Sequence, residues 1–239
     1  MEIDKREYVY RIEPRDSDFM KRATLMALAD YILHTAGEDA DRNGFGVRDL
    51  NLNNASWVLT RMALETVRMP SEYERVRITT WVSGITRAMT TRNFEVFGDD
   101  DAMLACAVTN WAMIDLTARR MLDLQTLSAY GTMTQDFPLP AALPRRLPAV
   151  ACGEVHEHTV AYSDLDFNGH ANSVKYIQWA VDTMPLDDVA GKRFARTDIN
   201  FLHETRHGER LSIVAAPDGL FEIRNGAGEV VCRLAFTME

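Results

Sequence analysis

The chain has 239 residues, 46% hydrophobic and 26% charged, and 35 acidic against 26 basic side chains give it a formal net charge of −9. That is enough apolar material for one large domain or two of about 120 residues; it excludes disorder, coiled coil and collagen, and the acidic balance argues against a general nucleic-acid binder. No apolar run approaches the roughly 18 residues of a membrane span, and MEIDKREYVYRI carries charges where a signal peptide needs an apolar core, so a cytoplasmic protein with no membrane span is expected.

Residues 8–12 form a short strand-like run. Residues 21–36 then carry Leu25, Leu28, Ala29, Ile32 and Leu33 at the spacing of one helix face. Gly37, Gly44 and Gly46 are expected to end that helix, and β-type runs follow at 56–69, 75–86, 90–97 and 103–116. Asp99-Asp100-Asp101 after Gly98 stands where a hairpin turn is needed. Four of the eight prolines, Pro138, Pro140, Pro144 and Pro148, fall in FPLPAALPRRLPAV, which reads as an extended linker.

Beyond it the order repeats: a strand at 156–162, a helix at 172–182 with Val174, Ile177 and Val181 on one side, and strands near 197–203, 210–215, 220–224 and 230–237. Asn225-Gly226 and Ala227-Gly228 supply the last hairpin turn. The endings Leu64-Glu65-Thr66 and His203-Glu204-Thr205 echo one another, which makes Glu65 the expected counterpart of Glu204. A strand, a central helix and an antiparallel sheet wrapped around it, present twice, read as an α+β tandem hotdog fold. The expected parts are an N-terminal repeat at 1–135, a linker at 136–152 and a C-terminal repeat at 153–239.

The densest polar cluster before a predicted helix is Asp164-Leu165-Asp166-Phe167-Asn168-Gly169-His170-Ala171-Asn172. Asx and Gly residues in such a stretch ordinarily serve as turns and caps. The histidine adds chemistry. A carboxylate, carboxamides and an imidazole at a helix N-terminus place an acid/base group, hydrogen-bond donors and unpaired N–H groups in one small volume, suited to polarising a carbonyl and guiding water onto it. The backbone N–H groups near Asn172 are the expected oxyanion donors.

This segment resembles the acyl-acyl carrier protein thioesterases of plants and bacteria, whose second hotdog repeat carries Asp-x-Asn-x-His-x-Asn-Asn-x-x-Tyr; here Asp166, Asn168, His170, Asn172 and Tyr176 match, with Ser173 the departure. Trp57-Val-Leu-Thr-Arg-Met62, Thr80-Trp81-Val82, Trp111-Ala-Met113 with Arg119-Arg120, and Phe201-Leu-His-Glu204-Thr205 are similar to further family elements, so the resemblance runs from about residue 8 to 236. It implies hydrolysis of fatty acyl-acyl carrier protein to free fatty acid and holo-carrier, ending chain elongation, with no metal or organic cofactor. The family's functional positions fall on Asp166, Asn168, His170 and Glu204. Thr205 replaces its cysteine, which moves the expected chemistry to Asp166 or Glu204 as base or nucleophile, with His170 and Asn168 orienting groups around the thioester. An acyl-CoA thioesterase or a non-catalytic acyl-binding protein of the same fold is the alternative, and monomer and homodimer are both open.

Residues 15–19, Arg-Asp-Ser-Asp-Phe, match the region before the first helix but lack the Asp-x-Asn-x-His pattern, so catalysis is expected in the second half only. The first half would then build the acyl pocket from its helix and from residues such as Trp57, Met62 and Met113. Cys106 and Cys232 read as core residues and Cys152 as part of the linker, without CxxC spacing for a disulfide framework or a zinc site. His156 and His158 read as a solvated strand face. An acidic carrier protein would need a local basic patch, for which Arg119-Arg120, Arg145-Arg146 and Lys192-Arg193 are the candidates.

Overall fold

Alternating apolar and polar side chains give strands where the pattern predicts them, and the computed structural model, which describes residues 5–126 and 134–239, arranges them in two units, Met1–Pro144 and Arg145–Glu239. In the first unit β1 (Arg6–Arg11) leads to helix α1 (Leu25–Arg42), the short α2 (Val47–Leu52), and strands β2 (Ala55–Thr66), β3 (Arg75–Ile85), β4 (Thr90–Phe97) and β5 (Met103–Asp115), with a two-residue β6 (Arg120–Met121) beside β5. The second unit has β7 (Glu154–Thr159), α3 (Ser173–Asp182), α4 (Leu186–Gly191), β8 (Phe194–Phe201), β9 (Arg210–Ala215), β10 (Leu220–Asn225) and β11 (Val230–Met238).

Both sheets are antiparallel with one strand order. The first runs β1-β3-β4-β5-β2 and the second β7-β9-β10-β11-β8, so in each the strand before the helix ends at one edge and the strand after it at the other. The predicted hotdog architecture is therefore present twice, each sheet curving around one helix.

Thr24 accepts a hydrogen bond from the Ala27 N–H and caps α1, which starts at Leu25, four residues later than the predicted 21–36 helix. Leu25, Leu28, Ala29 and Ile32 are buried, and the helix packs on β1 and β3. It does not stop at Gly37. An exposed helical glycine costs only about 1 kcal/mol against alanine, whereas continuing the helix buries Asp39 and Ala40. Asp39 there meets the buried Arg92 at 2.7 Å and the Tyr8 hydroxyl at 3.1 Å, a pair whose partners make each other tolerable in the core. The predicted Asp99–Asp101 turn forms with Asp101 at φ 58°.

In the second unit α3 packs on β9 and β11, burying Val174, Tyr176, Ile177, Trp179 and Ala180. The opposite face of this sheet carries a polar row, Asn200, Arg233 and Glu222, on three neighbouring strands. Across it runs the stretch that reads as a linker. Far from slack, it is held by Leu147 N–H to Asn200 Oδ1 (2.8 Å), Asn200 Nδ2 to Arg145 O (2.8 Å) and Val150 N–H to Glu222 Oε2 (3.4 Å), with Leu147 and Val150 buried. Proline-rich backbone cannot complete a ladder; side chains of the sheet supply its partners instead.

Candidate active site

A short 3-10 turn, Tyr162–Asp164, launches the polar segment, which folds back on itself before α3. The Asp166 N–H donates to His170 O (2.7 Å), Leu165 bridges to Ala171, and Gly169 supplies the left-handed turn at φ 76°. Asp166 organises this turn from within: its Oδ1 accepts the N–H groups of Asn168 (2.8 Å) and His170 (3.2 Å). The returning limb bonds to the chain after β8, with Ala171 N–H to Thr205 O at 2.8 Å and His170 bridged to Arg206.

These backbone bonds bring Glu204 to His170. Leu202 and His203 both donate to Val231 O, and Glu204 follows with its Oε2 3.4 Å from His170 Nε2. The imidazole is largely covered and the carboxylate one-third exposed, so the pair is reachable from solvent while partly shielded from it. Asn168 lies exposed on the same turn, its Nδ2 3.4 Å from Asp166 Oδ2. Asp166, Asn168, His170 and Glu204 thus stand in one place. The chemistry open to them is that of a carboxylate–imidazole pair beside an amide donor.

The start of α3 differs from expectation. Asn172 accepts from Val174 N–H through its side chain and from Lys175 N–H through its carbonyl, and its own N–H goes to Asp164 O. The Asn172, Val174 and Lys175 N–H groups are thus engaged in the turn and the cap, and the exposed Asn168 carboxamide adds a side-chain donor on the same turn. Thr205 points away from the site: it is buried, with its Oγ1 2.9 Å from the Tyr176 hydroxyl. Burial pushes the Tyr176 phenol well above its ordinary pKa, so both groups are neutral partners.

The first unit contains the same turn with different side chains. Asp18 N–H donates to Arg22 O (2.7 Å), Ser17 bridges to Ala23, Ala23 N–H donates to Pro70 O, and Lys21 takes the left-handed position at φ 60°. Asp18 Oδ1 accepts the N–H groups of Met20 (2.8 Å) and Arg22 (3.0 Å), just as Asp166 does for Asn168 and His170. The chain after β2 also matches, since Val67 and Arg68 both donate to Leu104 O. Met69 therefore corresponds to Glu204. Glu65 does not: it sits inside β2, four residues before Met69, and corresponds to Asn200. The likeness of Leu64-Glu65-Thr66 to His203-Glu204-Thr205 misleads because hydrogen-bond register, not local spelling, defines equivalence.

Other candidates are dispersed. Cys106 and Cys232 are buried and Cys152 exposed, and burial holds the Cys232 thiol far above its ordinary pKa. His156 and His158 are half-buried rather than solvated; His158 stacks on Trp179 at 4.5 Å and bonds to Asp164. Of the basic pairs, Arg145 is tied to Asp198, Lys192 to Asp188 and Arg193 to Glu239, while Arg119, Arg120 and Arg146 are exposed. Among the described residues no three His, Cys, Asp or Glu side chains form a metal-holding group, and no helix is long and apolar enough to cross a membrane. Asp164 is a residue the sequence reading left unassigned; its signal is the Asp-x-Asp spacing shared by Asp16–Asp18 and Asp164–Asp166.

Two hotdog units in one chain, one of them carrying a carboxylate–imidazole–amide turn, define a double-hotdog protein with one polar site of this kind among the described residues. The family models for the acyl-ACP thioesterase N-terminal and C-terminal domains match residues 4–126 and 149–238, and the chain belongs to the acyl-ACP thioesterase family. It is similar to the crystal structure of an acyl-ACP thioesterase from Bacteroides thetaiotaomicron, 33% identical with a TM-score of 0.89, over 98% of this chain and 97% of that one. The 12:0-ACP thioesterase from Umbellularia californica shares the fold, with a TM-score of 0.82 at 16% identity over 98% and 96% of the two chains. A chloroplastic palmitoyl-acyl carrier protein thioesterase of Gossypium hirsutum is 27% identical over 202 residues, 80% of this chain and 48% of its own length. The chain spans about half the length of the curated relatives it matches.

Proposed function

We propose that the protein hydrolyses the thioester of fatty acyl-acyl carrier protein, releasing a fatty acid and the carrier thiol. The observation that carries this reading is the His170–Glu204 pair at 3.4 Å beside Asn168, in a chain of this family. In the proposed reaction Glu204 takes a proton from a water bound beside it, and the water oxygen attacks the thioester carbonyl while the Asn168 amide and the imidazole donate to the developing oxyanion. The carbon–sulfur bond then breaks, and the carrier thiolate takes up the proton held by Glu204, which restores the carboxylate. A thioester carbonyl has little resonance stabilisation and a good leaving group, so a modest, partly open site suffices.

The internal copy supports a division of roles. The first unit keeps the turn and its aspartate but has Met20, Arg22 and Met69 in place of Asn168, His170 and Glu204. What survives without the chemistry is the clasp; what is lost together is the reacting set. Asp166 is therefore the residue that shapes the turn, and Glu204 the base.

The proposal gives the acyl chain to the first unit, where the half-buried Trp57 and the buried Met62 and Met113 contribute apolar surface. Exposed Arg119, Arg120 and Arg146 are the proposed contacts for the acidic carrier. A cytoplasmic setting belongs to the same proposal and is tested by cell fractionation. The enzymatic test is thiol release by the purified protein from acyl carrier protein thioesters of graded chain length and from the matching acyl-CoA. Faster release from the carrier supports the reading; faster release from CoA changes the carrier, and no release from either overturns it.

A further inference from the structure

Beneath the 165–172 turn lies a second polar group that the reaction does not use. Asp164 ends the 3-10 turn from which the segment springs, and its carboxylate is almost wholly buried. Its Oδ2 accepts the Ala161 N–H at 2.8 Å and lies 3.2 Å from Nε2 of His158 on β7, while Lys175 Nζ on α3 stands 3.8 Å from Oδ1. Its main-chain carbonyl accepts the Asn172 N–H at 2.8 Å. Asp164 therefore holds both ends of the turn: the entry through its carboxylate and the exit through its carbonyl.

The internal copy shows what is particular to this arrangement. In the first unit Asp16 stands in the place of Asp164 and its carbonyl likewise accepts the Thr24 N–H at 2.9 Å. Its carboxylate, however, takes the Tyr31 hydroxyl at 2.7 Å, and Tyr10, in the place of His158, donates to Glu38 instead. Tyr10 and Tyr31 stack at 5.2 Å as His158 and Trp179 do at 4.5 Å, so the ring-on-ring packing is common to both units. The bond from the strand to the clasping aspartate is made only in the unit that carries His170 and Glu204.

Resting on the proposed hydrolase reading, we infer that His158 is a positioning residue for the reaction: through Asp164 it fixes the turn that sets His170 against Glu204. It touches none of the reacting atoms. Its ring does two separable things, packing on Trp179 and bonding to Asp164. Packing serves stability in either unit; the bond serves the geometry of the site, where a small misplacement of a reacting group lowers the rate steeply. Lys175 and, further along α3, Asp182, whose carboxyl burial holds above its ordinary pKa, are the other ionisable groups facing it.

Two variants of the full chain separate these roles. His158→Phe keeps a ring against Trp179 and removes the bond; His158→Gln restores a donor to Asp164 without the imidazole. The inference predicts that His158→Phe lowers kcat for acyl carrier protein hydrolysis about 10-fold or more with KM little changed, and that His158→Gln recovers most of the loss. Melting temperatures measured alongside should show His158→Phe folded. Asp164→Ala, which removes the acceptor of the His158 bond and keeps the main-chain carbonyl, is the second probe should either His158 variant fail to fold, with the same kcat-specific loss expected. A folded His158→Phe or Asp164→Ala with wild-type kcat overturns the inference, as does a folded His158→Gln no faster than His158→Phe. Absence of turnover in the wild type would instead overturn the hydrolase reading, so the two failures are told apart.

Discussion

Met69 and Glu204 occupy the same place in two copies of one fold, each following a pair of backbone bonds to a single carbonyl, Leu104 O in one unit and Val231 O in the other. A thioether in one copy and a carboxylate in the other make the first unit a built-in control for the second. On the proposed reading, what the two turns share serves folding and what only the second has serves the reaction.

Thr205 stands where the family resemblance implies a cysteine, yet its hydroxyl is held by the buried Tyr176 phenol at 2.9 Å. Thr205→Ala should cost about 1–3 kcal/mol, since it strands a buried O–H, while kcat changes no more than about twofold. Thermal denaturation and steady-state kinetics on one preparation check this. A stable Thr205→Ala protein without activity would mean that the hydroxyl acts in the reaction.

The cysteines give a second check. Cys152 is exposed, Cys106 and Cys232 are buried, and burial disfavours the Cys232 thiolate. Iodoacetamide on the native protein should label Cys152 and leave turnover intact, as mass spectrometry and an activity assay in parallel would show. Loss of activity in step with labelling, prevented by Cys152→Ser, would contradict the account.

Acid stability should depend on the carboxylates that hold the proline-rich stretch. Burial by itself raises Asp198, but the Arg196 guanidinium and the Arg145 N–H and side chain outweigh it and hold the carboxyl below its ordinary range; Arg233 and Arg224 do the same for Glu222. A pKa lowered in the folded state contributes stability that is present above the unfolded value, about 3.9 for Asp and 4.3 for Glu, and lost as pH falls through the folded one. Asp198→Asn should therefore destabilise at pH 7 by about 2–3 kcal/mol and flatten the loss of stability below about pH 4. Urea titrations at pH 7 and on the acid limb measure both. An unchanged acid slope in Asp198→Asn would show that the pair has no part in it.

Much of this was open to the sequence. Strand runs at 75–86, 90–97 and 103–116 lie within a residue of β3, β4 and β5 because period-2 patterning survives wherever a sheet has a buried face. Asp166, Asn168 and His170 stand out as candidates because three polar side chains before an apolar helix are conspicuous. What stayed hidden depends on distant hydrogen bonding. Helix α1 passes Gly37 because Arg92, 53 residues beyond Asp39, waits to pair with it, and nothing near the glycine announces that. The true partner of Glu204 was missed because Met69 carries no polar signal, whereas Glu65 did and lay close by in spelling. His158 reads as a solvated strand residue from the sequence because its partner is Asp164, six residues on and across a turn.

In the proposed reaction Glu204 is the base and Asp166 the organiser of the turn. Asp166→Asn keeps an oxygen that can accept the Asn168 and His170 N–H groups; Glu204→Gln keeps the shape of its side chain and removes its basicity. Measured side by side on acyl carrier protein thioesters, kcat of Asp166→Asn should stay within about 10-fold of wild type, while Glu204→Gln should fall by about 10²–10⁴. An Asp166→Asn enzyme as inactive as Glu204→Gln, with both folded, would contradict the assignment and return the reacting carboxylate to Asp166.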